Sequence, residues 1–252
     1  MNLAKMMTVT GVLLAAAAAN AANYNVAWLD HGPTLFGNPP PFSGTYNLPG
    51  IGPVQMSYSP NPDFTEARLQ VGPLATGSVT SGPDTYSWNN HECLARTNWG
   101  WSGVINSSWT VTYTFSGTIP ANSLILGVQG LGRRDPNPGE NALDTTTRVT
   151  VLQNGTHLGD WTGAMNVGPT QFTSSAGMFE MQNSLTGPGG NDPWWNTGLA
   201  LVQINDAVST LTVRIDQTAG DGIGISLGTT VPAPGAGALV GLAGLVAGRR
   251  RR

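Results

Sequence analysis

The stretch Trp109-Thr110-Val111-Thr112-Tyr113-Thr114-Phe115 alternates large apolar side chains with threonines at every position. Successive side chains on an extended chain point to opposite faces. The pattern therefore sets Trp109, Val111, Tyr113 and Phe115 on one side and the threonines on the other, as a half-buried β-strand requires. Working outward, strands are expected at 54–58, 67–71, 124–129, 148–153, 199–204, 211–216 and 223–227. With 34 glycines, 18 prolines and only 10% charged residues, the chain shows no long run with a helical period. Two turn signals stand out. Asn154-Gly155 predicts a two-residue hairpin between 149–152 and 157–158, and Ala219-Gly220-Asp221-Gly222 predicts another between the last two strands. Strands at this density, with no helices to cover a parallel sheet, predict an all-β chain: a single antiparallel β-sandwich of jelly-roll kind over 22–230. Long connections rich in Pro, Gly and Asn are expected at 32–50, 72–90, 133–141 and 187–196, where a sandwich usually builds its binding surfaces.

The two ends read differently. Residues 1–21 carry one lysine, Lys5, then an uncharged stretch from 6 to 19, then the small residues Ala19-Asn20-Ala21. This is the pattern of a signal peptide, cut by signal peptidase after Ala21 or after Ala22, and the apolar run is short for a membrane span. At the other end Val231-Pro232-Ala233-Pro234 leads into an uncharged, glycine-rich run at 235–248 and then Arg249, Arg250, Arg251 and Arg252. Prolines stop a strand, an apolar run partitions into lipid as a short helix, and terminal arginines resist translocation.

The tail at 231–252 resembles the PEP-CTERM sorting signal of bacterial surface proteins, with alanine between the prolines where the commoner form has glutamate. The resemblance is confined to those residues and speaks to handling. It implies recognition at Pro232, Ala233 and Pro234 by an exosortase-type membrane protease and transient membrane insertion. Removal of the tail and release to the cell envelope or extracellular matrix would follow, often with glycosylation.

Without the two ends the chain keeps six arginines, no lysine and all fourteen carboxylates, a formal charge of −8 where the whole chain has −3. Nucleic-acid affinity comes from cationic contacts with phosphate, so no nucleic-acid partner is expected. Cys93 is the single cysteine, which excludes an intrachain disulfide and leaves stability to a core; burial of its thiol is the first expectation.

All eight tryptophans lie between the two ends, and most are expected to fill a core poor in leucine and phenylalanine. Trp99, Trp101, Trp194 and Trp195 sit beside glycine, proline and asparagine. They are the candidates for stacking on the apolar face of a sugar ring of an extracellular polysaccharide. Asp135, Asn137, Glu140 and Asp144 alternate side-chain oxygens as calcium loops do, but the sixth position is Glu140 and the twelfth Thr146. A hand-type calcium loop is therefore excluded and only an irregular calcium site remains open.

No catalytic constellation emerges and no other cofactor is expected. His31, His91 and His157 lack the close spacing of a zinc hydrolase, and His91 and Cys93 pair only if a loop converges them. The expected role is structural or adhesive in the envelope or matrix, with weak carbohydrate binding. The alternatives are a secreted polysaccharide hydrolase, which needs only two suitably spaced carboxylates, and a surface protein anchored permanently by its tail.

Overall fold

A computed structural model of the chain describes residues 21–30, 43–60, 68–74, 76–89, 91–97, 106–134, 145–161, 170–183, 196–218 and 223–232. Within them every regular element is a strand. In chain order these are β1 (Asn23–Trp28), β2 (Ser43–Leu48), β3 (Gly52–Pro60), β4 (Arg68–Leu74), β5 (Gly77–Ser81), β6 (Asp84–Trp88), β7 (His91–Thr97) and β8 (Asn106–Ile119). They continue with β9 (Leu124–Arg134), β10 (Thr145–Val151), β11 (Gly155–Asp160), β12 (Thr170–Ser175), β13 (Met178–Asn183), β14 (Asn196–Ile204), β15 (Val208–Thr218) and β16 (Ile223–Pro232). The protein is all-β. The expected signal peptide at 1–21, apart from its last residue, and the apolar helix after Pro232 lie outside the described residues.

β8 behaves as its alternation requires. Trp109, Val111, Tyr113 and Phe115 are buried, while Thr114 on the other face is exposed. Two groups of strands follow from the pairing. In the first, backbone bonds run β2-β3-β8-β15-β10-β13-β12. In the second they run β11-β14-β9-β16-β1-β6-β5, with β7 and β4 added beside the first residues of β16. The far end of β9 joins the groups through Thr145↔Arg134.

The main core lies between these groups. Val54, Val111, Tyr113, Val213 and Phe179 come from the first, and Leu126, Val202, Ile225 and Leu227 from the second. The second group is also buried on its other face. Ile125, between Leu124 and Leu126 on β9, and Leu201, between Ala200 and Val202 on β14, belong to a separate cluster with Val26, Trp28, Val79, Tyr86, Trp88, Leu158 and Trp161. This sheet curls until β5 packs on β11, where a Cβ on Gly159 at the β11 bulge would stand 2.7 Å from Val79 Cγ1. A nearly closed barrel results, filled by three indoles: Trp88 meets Trp28 edge-on at 5.8 Å and Trp161 at 5.9 Å.

The indoles need room, and glycine supplies it. A Cβ on Gly127 of β9 would lie 2.8 Å from Trp28, and one on Gly228 of β16 would lie 2.6 Å from it. Strand glycine is ordinarily unfavourable, and a ring seated on bare backbone is the physical reason for it here.

The structure corrects three expectations. Asn154-Gly155 is not a hairpin, because β10 and β11 pair with different partners, and β15 and β16 likewise do not pair with each other. Asn154 instead turns the chain between the two groups. Its backbone N–H donates to Asp206 Oδ2 at 2.6 Å, its side-chain amide donates to Asp206 Oδ1 at 3.0 Å, and its Oδ1 accepts the Gly177 N–H at 3.0 Å. Second, 32–50 and 72–90 are not merely connections: the first holds β2 and the second holds the end of β4, then β5 and β6. Third, the pairing is not wholly antiparallel, since β1 and β6 run parallel.

The Asn154 corner carries a prediction. The hydrogen bonds from the Asn154 side chain and backbone hold the Asp206 carboxyl below its ordinary pKa. Such a group contributes stability above the unfolded-state pKa of about 4, and the contribution fades as pH falls through the lower folded value. Asp206→Ala is expected to cost about 1–2 kcal/mol at pH 7 and distinctly less at pH 3. Urea unfolding at the two pH values measures this, and an equal cost at both would overturn the assignment.

Candidate functional site

The parallel pair β1–β6 builds a pocket among the described residues. Its start is fixed at Ala22, whose backbone N–H donates to Asp84 Oδ1 at 3.1 Å and whose carbonyl accepts the Thr85 N–H at 2.9 Å. Two residues on, Tyr24 stacks on Tyr86 with ring centroids 5.2 Å apart. Burial first, then Asp84 and Tyr24, push the Tyr86 hydroxyl above its ordinary pKa, so it stays neutral. Further along, Ser87 Oγ reaches the Tyr24 carbonyl at 3.5 Å and Asn25 Oδ1 at 3.4 Å. Alternation on these short strands turns Val26, Trp28, Tyr86 and Trp88 inward and leaves Asn25 and Ser87 toward the rim.

Where β1 and β6 meet the start of β5, a pocket of about 450 Å³ opens. Asn25, Thr76, Ser87 and Asn89 supply its polar lining. Val26, Trp28 and Trp88 supply the apolar part. The two indoles are 5% and 6% exposed and locked against each other, so the wall is preformed. Among the described residues no lining residue carries a charge. The pocket offers amide and hydroxyl groups that both donate and accept, beside a small patch of aromatic carbon.

A second polar cluster lies at the bulged end of β11. His157 Nε2 stands 3.0 Å from Asp160 Oδ1, Asp160 Oδ2 accepts the Thr170 N–H at 3.0 Å, and the His157 ring stacks on Phe172. Burial raises the Asp160 pKa, but the hydrogen bonds from His157 and Thr170 outweigh it and hold the carboxyl below its ordinary value. Each group is spent on joining β11 to the start of β12.

Of the residues singled out in the sequence, Trp99, Trp101, Trp194 and Trp195 lie outside the described residues, as do Asp135, Asn137, Glu140 and Asp144. Among the described residues no three His, Cys, Asp or Glu side chains are grouped to hold a metal ion. His91, Glu92 and Cys93 lie in the extended strand β7, not in the loop that a His–Cys convergence needs. Pro232 ends β16, while Ala233, Pro234 and Arg249 to Arg252 lie outside the described residues. The four described tryptophans, Trp28, Trp88, Trp109 and Trp161, are buried, as the core reading expects. The pocket residues were not foreseen. The signal was present in Thr85-Tyr86-Ser87-Trp88, which alternates as cleanly as β8 but for only a few residues inside a stretch dominated by Gly, Pro and Asn.

No protein-family model, no curated protein and no solved structure matches this chain.

Proposed function

We propose that this chain is an exported protein of the cell envelope or extracellular matrix. In this reading it is cut by signal peptidase at its N-terminus, sorted through its C-terminal tail, and displayed in a structural or adhesive role with weak carbohydrate contact. The carrying observation is the geometry at Ala22. Cleavage after Ala21 converts the Ala22 nitrogen into an ammonium at the position where it already donates to Asp84, so the new terminus gains a charged partner where β1 begins. Cleavage after Ala22 would discard that contact. The tail end fits the same reading, because β16 pairs antiparallel with β1 in the register Tyr24↔Pro232. Both processed ends then leave the domain side by side, with Pro232, the first sorting residue, ending the last strand. In fold, we read the two groups of strands as a sandwich of jelly-roll kind whose second sheet has curled toward a barrel.

Mass spectrometry of the protein recovered from a bacterial host that carries the processing machinery tests this. The expected mature chain begins at Ala22 and lacks residues from the apolar run onward. A chain that still begins at Met1 overturns export. An intact Arg252 overturns sorting in favour of a permanent anchor.

A further inference from the structure

We propose that the pocket between β1, β5 and β6 binds a neutral saccharide unit, one or two sugar rings, of an extracellular polysaccharide. The inference deepens the adhesive reading above by naming its site and ligand class, and it rests on residues other than Trp99, Trp101, Trp194 and Trp195.

Ligand charge is decided first. The lining among the described residues holds no charged side chain, so these residues do not neutralise a phosphate, a uronate or an ammonium, and burying an unpaired charge against the two indoles is costly. The formal charge of −8 between the two processed ends adds repulsion against anionic sugars.

Polarity is decided next. Asn25, Thr76, Ser87 and Asn89 present carboxamides and hydroxyls within one small opening. Carboxamides and hydroxyls donate and accept together, which suits ligands whose own groups do both, and adjacent hydroxyls on a sugar ring are such groups. Ser87 Oγ donates to Asn25 Oδ1 at 3.4 Å, which occupies the carboxamide oxygen and not its N–H groups. Asn89 makes no hydrogen bond within the described residues and stands exposed at the rim.

Shape is decided last. About 450 Å³ falls within the range of small-molecule pockets, several hundred Å³, and admits one or two pyranose rings. Trp28, Trp88 and Val26 provide the apolar edge against which ring C–H groups pack. Because the indoles are already ordered by the barrel core, binding does not have to order them.

The test is a titration of the full chain, purified from the producing host. The probes are neutral disaccharides built from glucose, galactose, mannose, xylose or N-acetylglucosamine, with a uronic-acid disaccharide for comparison, followed by calorimetry and by NMR shifts of the indole N–H resonances. Saturable binding of at least one neutral disaccharide is expected, with the uronic-acid disaccharide at least tenfold weaker. The Asn25→Ala, Asn89→Ala double variant is expected to lose about tenfold or more, as two lost hydrogen bonds imply. Both side chains are exposed, so unfolding curves should coincide with those of the unaltered chain. Asn89→Asp, which keeps the shape and adds a charge at the rim, provides a second variant expected to weaken binding. The proposal is overturned if no neutral disaccharide saturates, if the double variant binds as well as the unaltered chain, or if the uronic-acid disaccharide binds more tightly. Failure here leaves the mature termini unchanged, and failure of the processing reading leaves this titration unchanged, so the two are separable.

Discussion

Replacing Trp28 by alanine is expected to lower the free energy of unfolding by about 3–5 kcal/mol, the usual range for emptying a large aromatic site. The site has no means of collapsing. Trp28 is 5% exposed, meets Trp88 edge-on at 5.8 Å, and lies on the bare backbone of Gly127 and Gly228. Glycines have no side chain to swing into the void, and Trp88 is already held by Trp161 on its other side. A urea unfolding series measures the effect, and a loss below about 1 kcal/mol would show that the barrel interior is not a packed core. Trp28→Phe, which keeps an aromatic ring, should cost clearly less. Since Trp28 also lines the pocket, Trp28→Ala should weaken disaccharide binding as well, whereas an equally destabilising truncation in the main core, such as Phe179→Ala, should not.

Gly228→Val is expected to destabilise by about 2–3 kcal/mol through overpacking. Valine is a better strand former than glycine, so propensity alone predicts a gain. Packing overrides it, because even the first carbon of a side chain would stand 2.6 Å from Trp28 Cε3 and 3.0 Å from Val26 Cγ1. Trp28 cannot move aside with Gly127 pressed on the same ring and Trp88 against its edge. The decisive measurement is a double-mutant cycle with Trp28→Phe. If the close approach to the indole is the cause, Gly228→Val costs distinctly less once the ring is smaller. An unchanged cost in that background would sink the explanation and point to the backbone of β16 itself.

These two results bear on how much of the fold is legible in one dimension. The long, half-buried strands announce themselves: β8 leaves Thr110 and Thr112 half-buried and Thr114 exposed while it buries Trp109, Val111, Tyr113 and Phe115, so its period of two is unmistakable. The expected runs at 54–58 and 211–216 fall within observed strands for the same reason, while those at 124–129, 199–204 and 223–227 do so as nearly continuous runs of small and apolar residues on strands buried on both faces. Short strands do not announce themselves. β5 and β6 hold five residues each and are joined by Gly82-Pro83, so they read as part of a connection. Pairing partners are equally hidden. Asn154-Gly155 has the composition of a hairpin turn, yet Asp206 and Gly177, distant in sequence, claim its hydrogen bonds and send the chain to the other sheet. Local turn chemistry specifies that the chain bends there; long-range bonds specify where it goes.

The candidate site shows the same division. Sequence reasoning looked for a sugar site among tryptophans beside flexible-looking residues, because exposure is what a binding aromatic needs. The pocket is lined by tryptophans of the opposite kind, Trp28 and Trp88, buried by packing. No spacing rule joins Asn25 to Ser87 and Asn89, since they meet through a parallel pairing of strands about sixty residues apart in the chain.

Alternation and composition were enough to establish by themselves that this chain is built of strands, because side-chain direction along an extended backbone is a local property. The same reading supplied the acidic, lysine-free balance between the two ends. Only the tertiary structure decided that one sheet curls into a second core, that Gly127 and Gly228 exist to seat an indole, and that β1 and β6 align to form a pocket. Those outcomes depend on contacts between residues far apart in the chain, whose free energy appears only when both partners are in place.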